Sequence, residues 1–141
     1  MPKIAFFETE EWEKPYFRAK LKGYDVAFFD HPIDEDNTAE AKEFDIISVF
    51  IYSKITKKVL NKLKNVRLIA TRGTGFDHIL AKKDNVIITP HNAFNSKEAL
   101  QRILDTTVVN IKGFVNNKVV NKVNVGRGLK PYSTIQHKAS S

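Results

Sequence analysis

The amino-acid sequence predicts an α/β domain built on a five-stranded parallel sheet with helices on both faces. Three observations carry that expectation. Short runs rich in Val and Ile alternate five times with helix-forming stretches. The most apolar of them, "DIISVFI", is apolar nearly throughout, as a central strand covered on both faces must be. The length, 141 residues, suits one domain with a proper core and is too short for two ordinary ones.

Taken in order, "KIAFF" (3–7) reads as the first strand. "ETEEWEKPYFRAKLKG" (8–23) follows as a helix, with acids crowding its start, bases its end, and Gly23 closing it. Pro15 sits awkwardly in a helix of that length, so an early start or a kink is expected. "YDVAFFD" (24–30) is the second strand and "DEDNTAEAKEF" (34–44) a short helix. "DIISVFI" (45–51) is placed centrally, as the third strand. "TKKVLNKL" (56–63) is a helix that Thr56 caps. "VRLIAT" (66–71) is the fourth strand, "HILAKKD" (78–84) one or two helical turns, and "VIIT" (86–89) the fifth strand. The longest amphipathic helix is "SKEALQRILDTTVVNIKGFVNN" (96–117), with Leu100, Ile103, Leu104, Val108, Ile111 and Val115 on one face. Asn95 and Glu98 have capping-box spacing ahead of it. "KVVNKVNV" (118–125) is a last extended segment, and 125–141 read as a disordered tail. Right-handed crossovers then leave a flavodoxin-like three-layer sandwich.

Composition excludes several classes. There is no cysteine, so disulfides and thiolate metal sites are ruled out and a cytoplasmic address is expected. No run reaches the length of a membrane span, and the opening residues lack a signal-peptide layout. The net charge of +7 is uneven: residues 1–48 carry 6 Lys/Arg and 12 Asp/Glu, and residues 49–141 carry 17 and 4. Solvated helix faces and a basic tail account for this. No aromatic residues interleave with the bases as a nucleic-acid platform requires, so nucleic acid is not an expected partner. No metal-binding histidine pair, nucleophile elbow or P-loop occurs.

Two stretches carry candidate chemistry. "LIATRGTGFDH" (68–78) ends a strand in Gly73 and Gly75. As a dinucleotide fingerprint it fails: His78 stands where the third glycine belongs, and no acid closes a following strand. Its glycines suit either a carboxylate cradle, with the N–H groups of Gly73, Thr74 and Gly75 turned to an anion and Arg72 adding charge, or a plain strand-to-helix turn. The second stretch, "TPHNAF" (89–94), sets His91 just past a sheet's carboxyl edge, where ligands bind in open α/β folds. An imidazole there serves general acid–base chemistry or the core.

Together with the opening "KIAFFETEEWE" and "DIISVFIYSKIT", the stretches "TRGTGFDHI" and "VIITPHNAFNSKEAL" resemble the D-isomer-specific 2-hydroxyacid dehydrogenases, in particular the D-lactate dehydrogenase branch. That family joins a split catalytic domain to an inserted NAD-binding domain. The insert supplies the dinucleotide fingerprint, the arginine that grips substrate and the glutamate that partners the catalytic histidine. None of these is present: "GFDHI" runs directly into "LAKKDNVIITPH". The resemblance implies one substrate domain over 1–124, with the family's N-terminal part (1–79) joined to its C-terminal part (80–124). It implies that His91 is the proton donor, that Gly73, Thr74 and Gly75 are the carboxylate cradle beside Arg72, and that Tyr52 and Phe94 are pocket walls. The expected ligand is a small 2-keto or 2-hydroxy carboxylate. NAD belongs to the full-length family, and no cofactor is expected on this chain. A monomer, inactive alone, is the leading expectation. A half-enzyme completed in trans by an NAD-binding domain is a second reading, and a non-catalytic anion or nucleic-acid module a third.

Overall fold

The computed structural model describes residues 1–73, 87–89 and 97–122. Five strands form one sheet: β1 (Lys3–Phe6), β2 (Asp25–Phe28), β3 (Ile46–Val49), β4 (Leu68–Thr71) and β5 (Ile87–Thr89). Their spatial order is β2-β1-β3-β4-β5 and every pairing is parallel, the flavodoxin-like arrangement expected. The pairing of β5 with β4 matters most. Leu68 faces Ile87, Ile69 faces Ile88 and Ala70 faces Thr89, so the short run after the glycine loop completes the same sheet.

Alternate strand residues feed two separate cores. Ala5, Phe7, Ile47, Val49 and Ile69 point to one face, where α2 (Lys57–Lys62) covers them with Val59 and Leu60. Ile4, Phe6, Ile46, Leu68 and Ala70 point to the other. There α1 (Glu13–Lys20) contributes Phe17, and α3 (Lys97–Val115) contributes Leu104, Val108 and Ile111. All four residues of β3 and of β4 are buried, which explains their unbroken apolar character.

Several ends form as expected. Thr56 caps α2, its hydroxyl accepting from the Val59 N–H at 3.2 Å. Gly23 takes φ +93° just beyond the first helix. Two expectations are corrected. The first helix begins late, at Glu13, because the Glu13 carboxylate takes the Glu10 N–H at 2.7 Å. Pro15 then falls in the first turn, where its missing N–H is not needed, and no kink is required. The segment 34–44 is not an α-helix but a 3-10 turn, Thr38–Ala41. Asp34 Oδ1 accepts from the N–H groups of Asp36 and Asn37, and Asn37 Oδ1 accepts from the Asp34 N–H. These local bonds compete with helix formation and win.

The end of α3 was not foreseen. Asn117 turns to φ +56°, Lys118 N–H returns to the Gly113 carbonyl at 2.7 Å, and Asn117 N–H to that of Phe114 at 3.1 Å. The approach needs glycine, since a Cβ on Gly113 would lie 2.5 Å from the Lys118 oxygen. Residues 118–122 form no strand, and the rest of the expected extended segment lies outside the described residues. So do the turns at 78–84, the cap at Asn95 and the tail.

Candidate functional site at the carboxyl edge of the sheet

Ligands in open parallel sheets bind past the carboxyl ends of the strands, where the strand order reverses. Here that reversal lies between β1 and β3. Two charged residues hold this edge together. Glu8, two residues beyond β1, adopts φ +55°, a left-handed conformation that costs a non-glycine residue about 1–2 kcal/mol. Its carboxylate accepts from the N–H groups of Phe50 (2.9 Å), Tyr52 (2.6 Å) and Ser53 (3.1 Å), and from the Ser53 hydroxyl (2.6 Å). Ser53 Oγ in turn accepts from the Ile33 N–H at 3.1 Å, tying in the loop after β2.

Arg72, immediately after β4, is 1 % exposed. Its Nη2 donates to the carbonyls of Phe7 (2.6 Å) and Glu8 (2.9 Å), and Nη1 donates to Ser48 Oγ (3.0 Å). Ser48 Oγ donates onward to the Ala70 carbonyl at 2.9 Å. Nε lies 3.6 Å from a Glu13 carboxylate oxygen, and the guanidinium sits over the Phe6 ring, 5.8 Å from its centroid. Burial lowers the Arg72 pKa, while Glu13 and Glu8 oppose that shift. Burial likewise raises the Glu13 carboxyl above its ordinary range, with Arg72 pulling the other way. Neither charge is tolerable there without the other.

Beside this network lies a cavity of about 310 Å³ between the β1–α1 turn and α3. Glu8, Glu10, Glu13 and Arg72 supply its polar wall, and Trp12, Phe50, Leu100, Ile103 and Leu104 its apolar one. The volume is at the lower end for a small-molecule site. Among the described residues, no group of three or more His, Cys, Asp or Glu is placed to hold a metal ion. No described helix is long and apolar enough to cross a membrane.

Of the residues singled out from the sequence, three are described. Tyr52 stands at this edge, 71 % exposed, with its backbone pinned by Glu8. Arg72 lies in the wall of the cavity rather than on the surface, and Gly73, buried, begins the glycine loop. Thr74, Gly75, His91 and Phe94 lie outside the described residues. Glu8, Glu13, Ser48 and Ser53 were missed. A carboxylate directly past an apolar strand was the one available signal, and it pointed only to Glu8. A further polar contact, Tyr16 to Asp105, joins α1 to α3; burial and that carboxylate push the phenol up to about 12.

Comparison with known proteins places this geometry. Residues 4–124 match the D-isomer specific 2-hydroxyacid dehydrogenase family, catalytic domain. A 2-hydroxyacid dehydrogenase homolog of Haemophilus influenzae is 29% identical over 82 residues, covering 55% of this chain and 24% of that protein. The apo-structure of D-lactate dehydrogenase from Escherichia coli superposes with a TM-score of 0.60 at 25% identity, over 66% of this chain and 32% of that one. For D-lactate dehydrogenase from Aquifex aeolicus, complexed with NAD and lactic acid, the TM-score is 0.59 at 23% identity, over 90% and 39%. At that identity the last likeness speaks for the fold alone. The chain thus spans well under half the length of each of these relatives. By the extent of the family match and the parallel sheet it describes, the chain belongs to the D-isomer specific 2-hydroxyacid dehydrogenases, as a catalytic domain of that family.

Proposed function

We propose that this chain is a substrate domain of a D-lactate dehydrogenase-like oxidoreductase that binds small 2-keto or 2-hydroxy carboxylates and does not reduce them alone. The observation that carries the reading is the pairing of β5 with β4, which completes the sheet with no intervening domain between Gly73 and Ile87. The family's N-terminal part (1–79) then joins its C-terminal part (80–124) directly. In this reading Gly73, Thr74 and Gly75 receive the carboxylate and the Arg72 charge acts on it from the cavity wall. Tyr52 and Phe94 bound the pocket, and His91 holds a proton toward the carbonyl oxygen.

The described residues at this edge do not fit a dinucleotide. The turn after β1 carries Glu8, Glu10 and Glu11 and no glycine, and three carboxylates line the adjoining cavity, which repels a pyrophosphate. No hydride step is assigned to this chain, and a monomer is the expected state. Exposed Trp12 (54 %), Ile51 (46 %) and Tyr52 (71 %) along the carboxyl edge favour a second reading, in which a separate NAD-binding domain docks there and restores activity in trans.

Titration with pyruvate, followed by amide NMR shifts, and with NADH, followed by energy transfer from Trp12, tests both readings. Pyruvate should move the Tyr52 and Gly73 amides saturably, and NADH should show no saturable binding. Saturable NADH binding, or pyruvate shifts confined to other elements, would overturn the first reading. Pyruvate-dependent NADH oxidation on adding an NAD-binding domain would establish the second.

A further inference from the structure

Where this fold takes its ligands, at the carboxyl ends of β1 and β3, one of the chain's own carboxylates, Glu8, binds the loop after β3 at the margin of the cavity. Three backbone N–H groups and one hydroxyl of residues 50–53 converge on Glu8 from 2.6 to 3.1 Å. Such convergence of main-chain donors is how proteins hold anions. The ring of donors is strongly built, because Ser53 Oγ is anchored by the Ile33 N–H and Lys54 N–H donates to the Ile33 carbonyl at 3.1 Å. Glu8 itself is held in an unfavourable backbone conformation, φ +55°. Its N–H donates to the His31 carbonyl at 3.1 Å and its carbonyl accepts from Arg72. Strain of this kind persists only where surrounding bonds overdetermine it, and it gathers at functional edges.

We propose that residues 50–53 form a carboxylate-binding nest whose resident anion is Glu8, and that a free monocarboxylate takes the place of this side chain when it is removed. Glu8 is then the positioning residue for the candidate pocket. By gathering the N–H groups of Phe50, Tyr52 and Ser53 it sets the loop that carries Tyr52, a role that rests on the function proposed above; the nest itself does not. Without the anion, the donors point at one another's partial charges and the loop opens.

The test uses the full chain with Glu8→Gly, since glycine accepts the positive φ and the side chain is lost with its carboxylate. Amide hydrogen exchange is read at Phe50, Tyr52 and Ser53 in sodium acetate and in sodium chloride of equal ionic strength. Exchange at these amides should rise about tenfold or more in the variant. Acetate should restore protection and chloride should not, while the wild type responds to neither. A purely structural role would not produce acetate-specific rescue. Wild-type exchange rates in Glu8→Gly, or equal effects of acetate and chloride, would overturn the proposal. Should Glu8→Gly fail to fold, Glu8→Gln keeps the volume without the charge. Faster exchange there supports the nest, and wild-type rates would overturn it. Failure of pyruvate binding alongside successful acetate rescue would sink the proposed function and leave the nest standing.

Discussion

The interior of the sheet and its carboxyl edge are built on opposite terms. Inside, aliphatic and aromatic side chains fill one core on each face, held by many apolar contacts. At the edge, two charged side chains tie the ends of three strands by specific bonds. Arg72 after β4 reaches the carbonyls beyond β1 and the Ser48 hydroxyl of β3, while Glu8 after β1 gathers the loop beyond β3. The interior gives the fold its stability through area removed from water, which tolerates exchange among apolar residues. The edge tolerates less around Arg72, because each bond lost to that buried side chain leaves a polar group without its partner. The candidate binding surface is therefore held by specific polar bonds rather than by area removed from water.

The largest break in that contrast should come from Arg72→Ala. It removes the guanidinium partner of the Glu13 carboxylate, the Ser48 hydroxyl and two carbonyls, and should cost about 3–5 kcal/mol in denaturant unfolding. A loss below about 1 kcal/mol would show that water replaces the guanidinium there. Next comes Ile111→Ala, a fully buried residue of α3. If α3 belongs to the core as firmly as β3 does, the loss should be about 3 kcal/mol, comparable to that for Ile47→Ala. A much smaller value for Ile111 alone would mean that α3 rests loosely on its face.

The smallest effect sharpens the comparison through pH. Burial holds the Glu13 pKa above its ordinary value of 4.5, so the folded chain keeps that proton when the unfolded chain has lost it. The associated stabilisation is full below about pH 4.5 and is lost as pH rises through the folded value. Relative to Glu13→Gln, the wild type should lose thermal stability as pH rises from about 4 to 8. A constant difference across that range would contradict the direction of the shift.

Most of the interior was legible in the sequence, because period and apolarity are local signals. The runs at 3–7, 45–51 and 66–71 each contain a strand, Thr56 caps as its position suggested, and Gly23 takes the positive φ. The errors came where side chains competed with backbone. Asp34 and Asn37 turned an expected helix into a 3-10 turn, and the Glu10–Glu13 bond delayed α1. The edge was much less legible. Arg72 beside two glycines reads as a charge added to an anion cradle, yet its partners Ser48 and Phe7 lie 24 and 65 residues away in sequence. Glu8 reads as one acid in a run of four, and nothing local marks it as the residue that binds the loop at 50–53.

The central claim is that the segments after the glycine loop complete the same domain as residues 1–73. Native-state hydrogen exchange tests it most directly, comparing the amides of β5 and α3 with those of β3 and β4. If the claim holds, Ile87, whose N–H donates to the Arg67 carbonyl at 2.9 Å, and the buried turns of α3 exchange only through global unfolding, with the same free energy as Ile47 and Ile69. Exchange of β5 and α3 through a separate, lower-energy opening, with β1 to β4 still protected, would contradict it.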